Sequence, residues 1–91
     1  MSVQSYIENN KDRFLDELFS LIRIPSISAK QEHKADMEAC ARRWTEVLLS
    51  SGADKAVVMP TTGNPIVYAE KMVSPAAPTV LVYAHYDVMP A

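Results

Sequence analysis

Between Tyr6 and Arg23 apolar side chains recur at three- and four-residue spacing: Ile7, Phe14, Leu15, Leu18, Phe19 and Ile22. That period predicts one amphipathic helix, with Lys11, Asp12, Arg13, Asp16 and Glu17 on its other side. Ser5 followed by Glu8 fits a capping box at its start. Pro25 ends it, because the residue before a proline is pushed out of the α region. Ile24-Pro25-Ser26-Ile27-Ser28 then reads as an extended, tightly placed connection. A second stripe, Met37, Cys40, Ala41, Trp44, Val47 and Leu48, predicts a helix over Lys30 to Ser51. Gly52 stops it, since glycine enters the left-handed region cheaply. After Gly52 the pattern changes to short apolar runs. Ala56 to Met59 and Pro65 to Lys71, joined by the turn material Pro60 to Asn64, read as a hairpin. A proline-rich loop, Val73 to Pro78, leads to a third run, Thr79 to Tyr83, the most apolar and so the expected central strand. The order α-α-β-β-β predicts an α/β fold: two N-terminal helices packed on a three-stranded portion of a larger sheet.

Composition narrows the possibilities. Ninety-one residues allow at most one small domain, which buries a modest fraction of its surface. Hydrophobic residues at 48% and charged residues at 22% are ordinary globular usage and argue against disorder. A net charge of −2 without a basic run argues against a nucleic-acid partner; the one adjacent basic pair, Arg42 and Arg43, fits a solvated helix face. Cys40 is the sole cysteine, so no internal disulfide can form, which suits a reducing compartment. The N-terminus has neither the basic nor the apolar region of a secretory signal. No apolar run approaches the roughly 20 residues needed to span a bilayer. A cytoplasmic protein without a membrane partner is expected.

The third run delivers His85 and Asp87, two residues apart. In extended chain, i and i+2 point to one side, and ligand sites of open α/β sheets lie at the carboxyl ends of strands. Two readings follow. In one, His85 is a metal ligand and Asp87 accepts the proton on its other ring nitrogen, fixing the tautomer. In the other, Asp87 caps a turn beside a half-exposed histidine. One histidine and one aspartate cannot complete a zinc site, which takes three or four protein ligands. His33 lies among Gln31, Glu32 and Lys34 and reads as a solvated surface residue. Gly52 and Gly63, the two glycines, make no phosphate-cradling loop, and Cys40 and Trp44 on the apolar stripe read as core.

The run Leu81-Val82-Tyr83-Ala84-His85-Tyr86-Asp87-Val88-Met89-Pro90-Ala91 resembles the first metal-site motif of the M20 metallopeptidases, closest to their carnosine-type and cytosolic non-specific dipeptidase branch. Leu21 to Ser28 resembles that family's helix exit, and Gly63 to Glu70 the hairpin strand before its metal strand. The resemblance covers essentially the whole chain. It implies hydrolysis of a peptide or amide bond, dipeptides by preference, at two divalent metals, zinc or manganese. By the family pattern His85 is a ligand to one metal, and Asp87 is the catalytic-site carboxylate that orients and polarises its imidazole. Tyr86, Val88, Met89 and Pro90 shape the motif. The resemblance also implies that residues 1–91 are the N-terminal part of a longer catalytic domain, without its other ligands, its general-base glutamate or its dimerisation domain. Neither Glu70 nor any other acid here takes those roles. The 91 residues alone are then expected to be inactive, with acylase or carboxypeptidase activity of the parent left open.

Two other readings compete with this one. A third strand left without neighbours is an open apolar edge, which predicts a homo-oligomer or strand-exchanged dimer, and so a non-catalytic binding or self-association module. The chain can also be a complete small α/β domain in which His85 and Asp87 close a turn.

Overall fold

The structure, a computed structural model, describes residues 2–89. Pro90 and Ala91 of the motif lie outside the described residues. The elements are α1 (Val3–Asn9), α2 (Lys11–Ile22), a 3-10 turn (Gln31–His33), α3 (Lys34–Ser50), β1 (Lys55–Met59) and β2 (Ile66–Glu70). The expected single helix from Tyr6 to Arg23 is therefore two. The break is at Asn10, whose backbone (φ −116°, ψ 11°) leaves the helical region. Its side-chain amide takes the Tyr6 carbonyl at 2.9 Å, the local competition with helix hydrogen bonding typical of asparagine. Ser2, not Ser5, is the N-cap: Ser2 Oγ accepts the Ser5 N–H at 3.1 Å, and Ser5 Oγ reaches back to the Ser2 N–H at 3.1 Å.

The second helix begins later than its apolar stripe suggested, after the 3-10 turn, and ends where expected. Gly52 takes φ 111°, a left-handed value that glycine adopts without steric cost. The Gly52 N–H then donates to Leu49 O at 3.1 Å and the Ala53 N–H to Leu48 O at 3.0 Å, the two bonds of a Schellman ending. Its Met37, Cys40 and Ala41 are the buried apolar side chains, confirming the core reading of Cys40; Trp44 is half-buried. Arg43, expected on a solvated face, instead reaches α2 and donates to Ser20 Oγ at 3.3 Å from both Nε and Nη2.

The hairpin forms in the expected place. β1 and β2 pair antiparallel with Val57 opposite Tyr68 and Val58 opposite Val67. Burial alternates along both strands, so Ala56, Val58, Val67 and Ala69 share the more covered face. α3 packs against both strands. The opposite face, with Val57, Met59, Ile66 and Tyr68, is apolar and exposed.

The expected third strand is not confirmed. Among the described residues the sheet has two strands, in the order β1-β2. Thr79 to Tyr83 runs outside any ladder, with Val80, Leu81, Val82 and Tyr83 between 83% and 91% exposed. An apolar run states a preference for burial and cannot form a strand without a neighbouring backbone to bond. The fold is thus α/β with a two-stranded antiparallel sheet, and the two expected helices do not both lie on it: α3 packs on the strands, while α2 packs on α3. The fold is also spread out: the radius of gyration is 15.1 Å, against about 12 Å for a compact chain of this length. No helix among the described residues is long and apolar enough to cross a membrane.

Candidate functional site

Residues 86–88 leave the exposed run and dock against the connection after α2. Pro25 starts that connection and Ser26 is its fully buried centre. Ser26 grips the incoming chain twice. Its hydroxyl donates to Tyr86 O at 3.1 Å, and its carbonyl accepts the Val88 N–H at 2.9 Å. The Cys40 thiol of α3 lies 3.8 Å from the same Tyr86 carbonyl, and the Tyr86 hydroxyl donates to Pro65 O, at the start of the hairpin's second arm, at 2.6 Å. Loop, helix and hairpin therefore converge on Tyr86. Burial raises both the Cys40 thiol and the Tyr86 phenol above their ordinary pKa values, so both stay neutral near pH 7.

With its backbone fixed on either side, Asp87 presents two oxygens to two different partners. Oδ1 lies 2.9 Å from His85 Nδ1, and Oδ2 accepts the Ser28 hydroxyl at 2.5 Å. The Ser28 hydrogen bond first, and the His85 hydrogen bond second, hold the Asp87 carboxyl below the usual carboxylate range. Asp87 is thus ionised at neutral pH and can only accept. Nδ1 of His85 must then be the donor, and in a neutral imidazole the lone pair falls on Nε2. The His85 side chain is 82% exposed, so that nitrogen is accessible from solvent. Next to the pair is an open hollow of about 160 Å³, walled by Leu18, Leu21, Ile22 and Trp44 on one side and residues 85–88 on the other.

The structure brings His85 and Asp87 together, as the spacing suggested. It does not bring a third ligand: among the described residues no three His, Cys, Asp or Glu side chains converge as a metal site would require. His33 is engaged elsewhere, 2.8 Å from Asp36 at the start of α3, and is half-buried rather than solvated. Glu70 accepts the Tyr68 hydroxyl at 2.7 Å. Two contributors were not singled out from the sequence, Ser26 and Ser28. The connection expected to be extended is instead a series of tight turns, with the Ser26 N–H on Ile24 O at 2.7 Å and the Ile27 N–H on Pro25 O at 2.8 Å, and no local pattern in the sequence marks either hydroxyl.

The Cys-Gly metallodipeptidase DUG1 of Saccharomyces cerevisiae is similar to this chain, 31% identical over 102 aligned positions that take in 99% of the chain and 21% of the yeast protein. The chain spans about a fifth of the length of that relative. No family profile matches the chain. No solved structure matches it either. The similarity supports a relationship to a metallopeptidase.

Proposed function

We propose that residues 1–91 form the N-terminal part of the catalytic domain of an M20-type metallodipeptidase, and that His85 is its first metal ligand, oriented by Asp87. The observation that carries this is the 2.9 Å contact between His85 Nδ1 and an ionised Asp87, which leaves Nε2 as a solvent-facing ligand nitrogen. A ligating histidine that gives its other N–H to a carboxylate is the usual supporting arrangement in metal sites. The likeness to a yeast Cys-Gly metallodipeptidase, spread along the whole chain, supports the same reading and favours dipeptides as substrates.

The residues present fit one corner of such a site and not a whole one. When bound, divalent zinc or manganese supplies an acidified water and charge stabilisation at the attacked carbonyl. This chain's part is to hold one imidazole in the correct tautomer and to wall one side of the hollow with Leu18, Leu21, Ile22 and Trp44. The other ligands and the general base belong to segments outside these residues, so the 91 residues alone are inactive. Two experiments test the reading. Addition of Zn²⁺ followed by NMR should shift the His85 ring signals first, and His85→Ala should remove that response. Turnover of dipeptides by the 91-residue chain with Zn²⁺ or Mn²⁺ would contradict the incomplete site.

A second reading draws on the exposed apolar surface. Val80 to Tyr83 and the outer hairpin face of Val57, Met59, Ile66 and Tyr68 support self-association of the isolated chain. Sedimentation showing a monomer at high concentration would remove this support.

A further inference from the structure

We infer that Ser28 is a positioning residue for His85, acting through the second oxygen of Asp87. The inference rests on the proposed role of His85 as a ligand. His85 is almost wholly exposed, and Asp87 is its one hydrogen-bond partner among the described residues. The direction of the ring therefore depends on how firmly Asp87 is held. A carboxylate free to rotate about its side-chain bonds would offer Oδ1 to the imidazole only part of the time. The Ser28 hydroxyl removes that freedom by fixing Oδ2 at 2.5 Å, within the short range of charge-assisted O–H···O⁻ bonds.

Ser28 can do this because its own loop is fixed. Two residues earlier, Ser26 holds the backbone at Tyr86 and at Val88, the residues on either side of Asp87. Ser26 thus sets the register, and Ser28, in the turn that follows, meets the side chain between the two backbone grips. The chain of dependence runs from Ser28 to Asp87 Oδ2, through Asp87 Oδ1 to His85 Nδ1–H, and leaves Nε2 as the free nitrogen. Ser28 touches neither a metal nor a substrate in this arrangement.

The test measures the tautomer directly, without metal, by ¹⁵N NMR of His85 in the full chain. Ser28→Ala should raise the Nε2–H population of His85 and weaken Zn²⁺ binding at that ring about tenfold, the lower end of what losing a supporting partner costs. Ser28→Thr, which keeps the hydroxyl, should restore both. Should the loop loosen in the alanine variant, Ser28→Val set against Ser28→Thr gives the same comparison at constant shape, with the Tyr86 and Val88 amide shifts as the control for docking. An unchanged tautomer in Ser28→Ala or Ser28→Val, with those amides in place, would overturn the inference. A changed tautomer together with Zn²⁺ binding that His85→Ala leaves intact would keep the relay and remove the metal reading on which its purpose rests.

Discussion

Two neighbouring halves of one apolar stretch behave oppositely. Thr79 to Tyr83, rich in β-branched and aromatic residues, lies in solvent with no backbone partner. Tyr86 to Val88, a few residues on and no more apolar, is held by Ser26, Cys40 and Pro65. The difference is one of available partners and not of hydrophobicity. A serine buried in a proline-started turn offers both a donor and an acceptor at the correct spacing, whereas an isolated strand sequence offers only a tendency. Specific polar contacts therefore order the half that carries His85 and Asp87, while the more apolar half awaits a neighbour.

That contrast can be broken by substitution. The largest effect is expected from Ser26→Ala, which leaves the Tyr86 carbonyl without its hydroxyl partner. Urea unfolding should show a loss of about 1–3 kcal/mol, the range for an unsatisfied buried group, and Cys40, now reached more often by solvent, should react faster with a thiol reagent. Tyr86→Phe removes only the bond to Pro65 O and should cost about 1 kcal/mol in the same measurement.

A smaller effect is expected from pH at the far end of the hairpin. Asp54 accepts the Met72 N–H at 2.7 Å and the Lys71 ammonium at 3.3 Å. The Met72 bond, then Lys71, holds its carboxyl below the ordinary value of 3.8. A depressed carboxyl stabilises the fold at pH values above its unfolded pKa and loses that contribution as pH falls through the lower folded value. The Met72 amide should accordingly exchange faster in that acidic window, and Asp54→Asn should remove the pH dependence. The smallest change in stability is expected from Leu81→Lys, within about 0.5 kcal/mol of the parent, although sedimentation should show weaker self-association. If Leu81→Lys destabilised the chain as much as Ser26→Ala, the run would be packed after all and the contrast would fail.

The same contrast explains which features could be read from the amino-acid order. α3, its ending at Gly52 and the hairpin were readable because each is specified locally, by period, by a left-handed glycine and by turn residues. The pairing of His85 with Asp87 was readable for the same reason, being a two-residue relation. The break at Asn10 was missed because the apolar period runs through it, while an asparagine side chain bonding back to Tyr6 outweighs that period. The third strand is not confirmed, and its partners cannot be read from its own residues. Ser26 and Ser28 were passed over because their partners lie about 60 positions away.

That separation has a kinetic consequence. Joining residue 26 to residue 86 closes a loop of 60 residues, at a cost in chain entropy of roughly 3–4 kcal/mol for an unstructured connection. Hydrogen bonds worth about 1 kcal/mol each cannot offset that easily. The loop must first be shortened by α3 folding onto the hairpin, after which Cys40 and Pro65 stand ready beside the incoming Tyr86. The clasp around His85 therefore closes after α3 has packed on the hairpin.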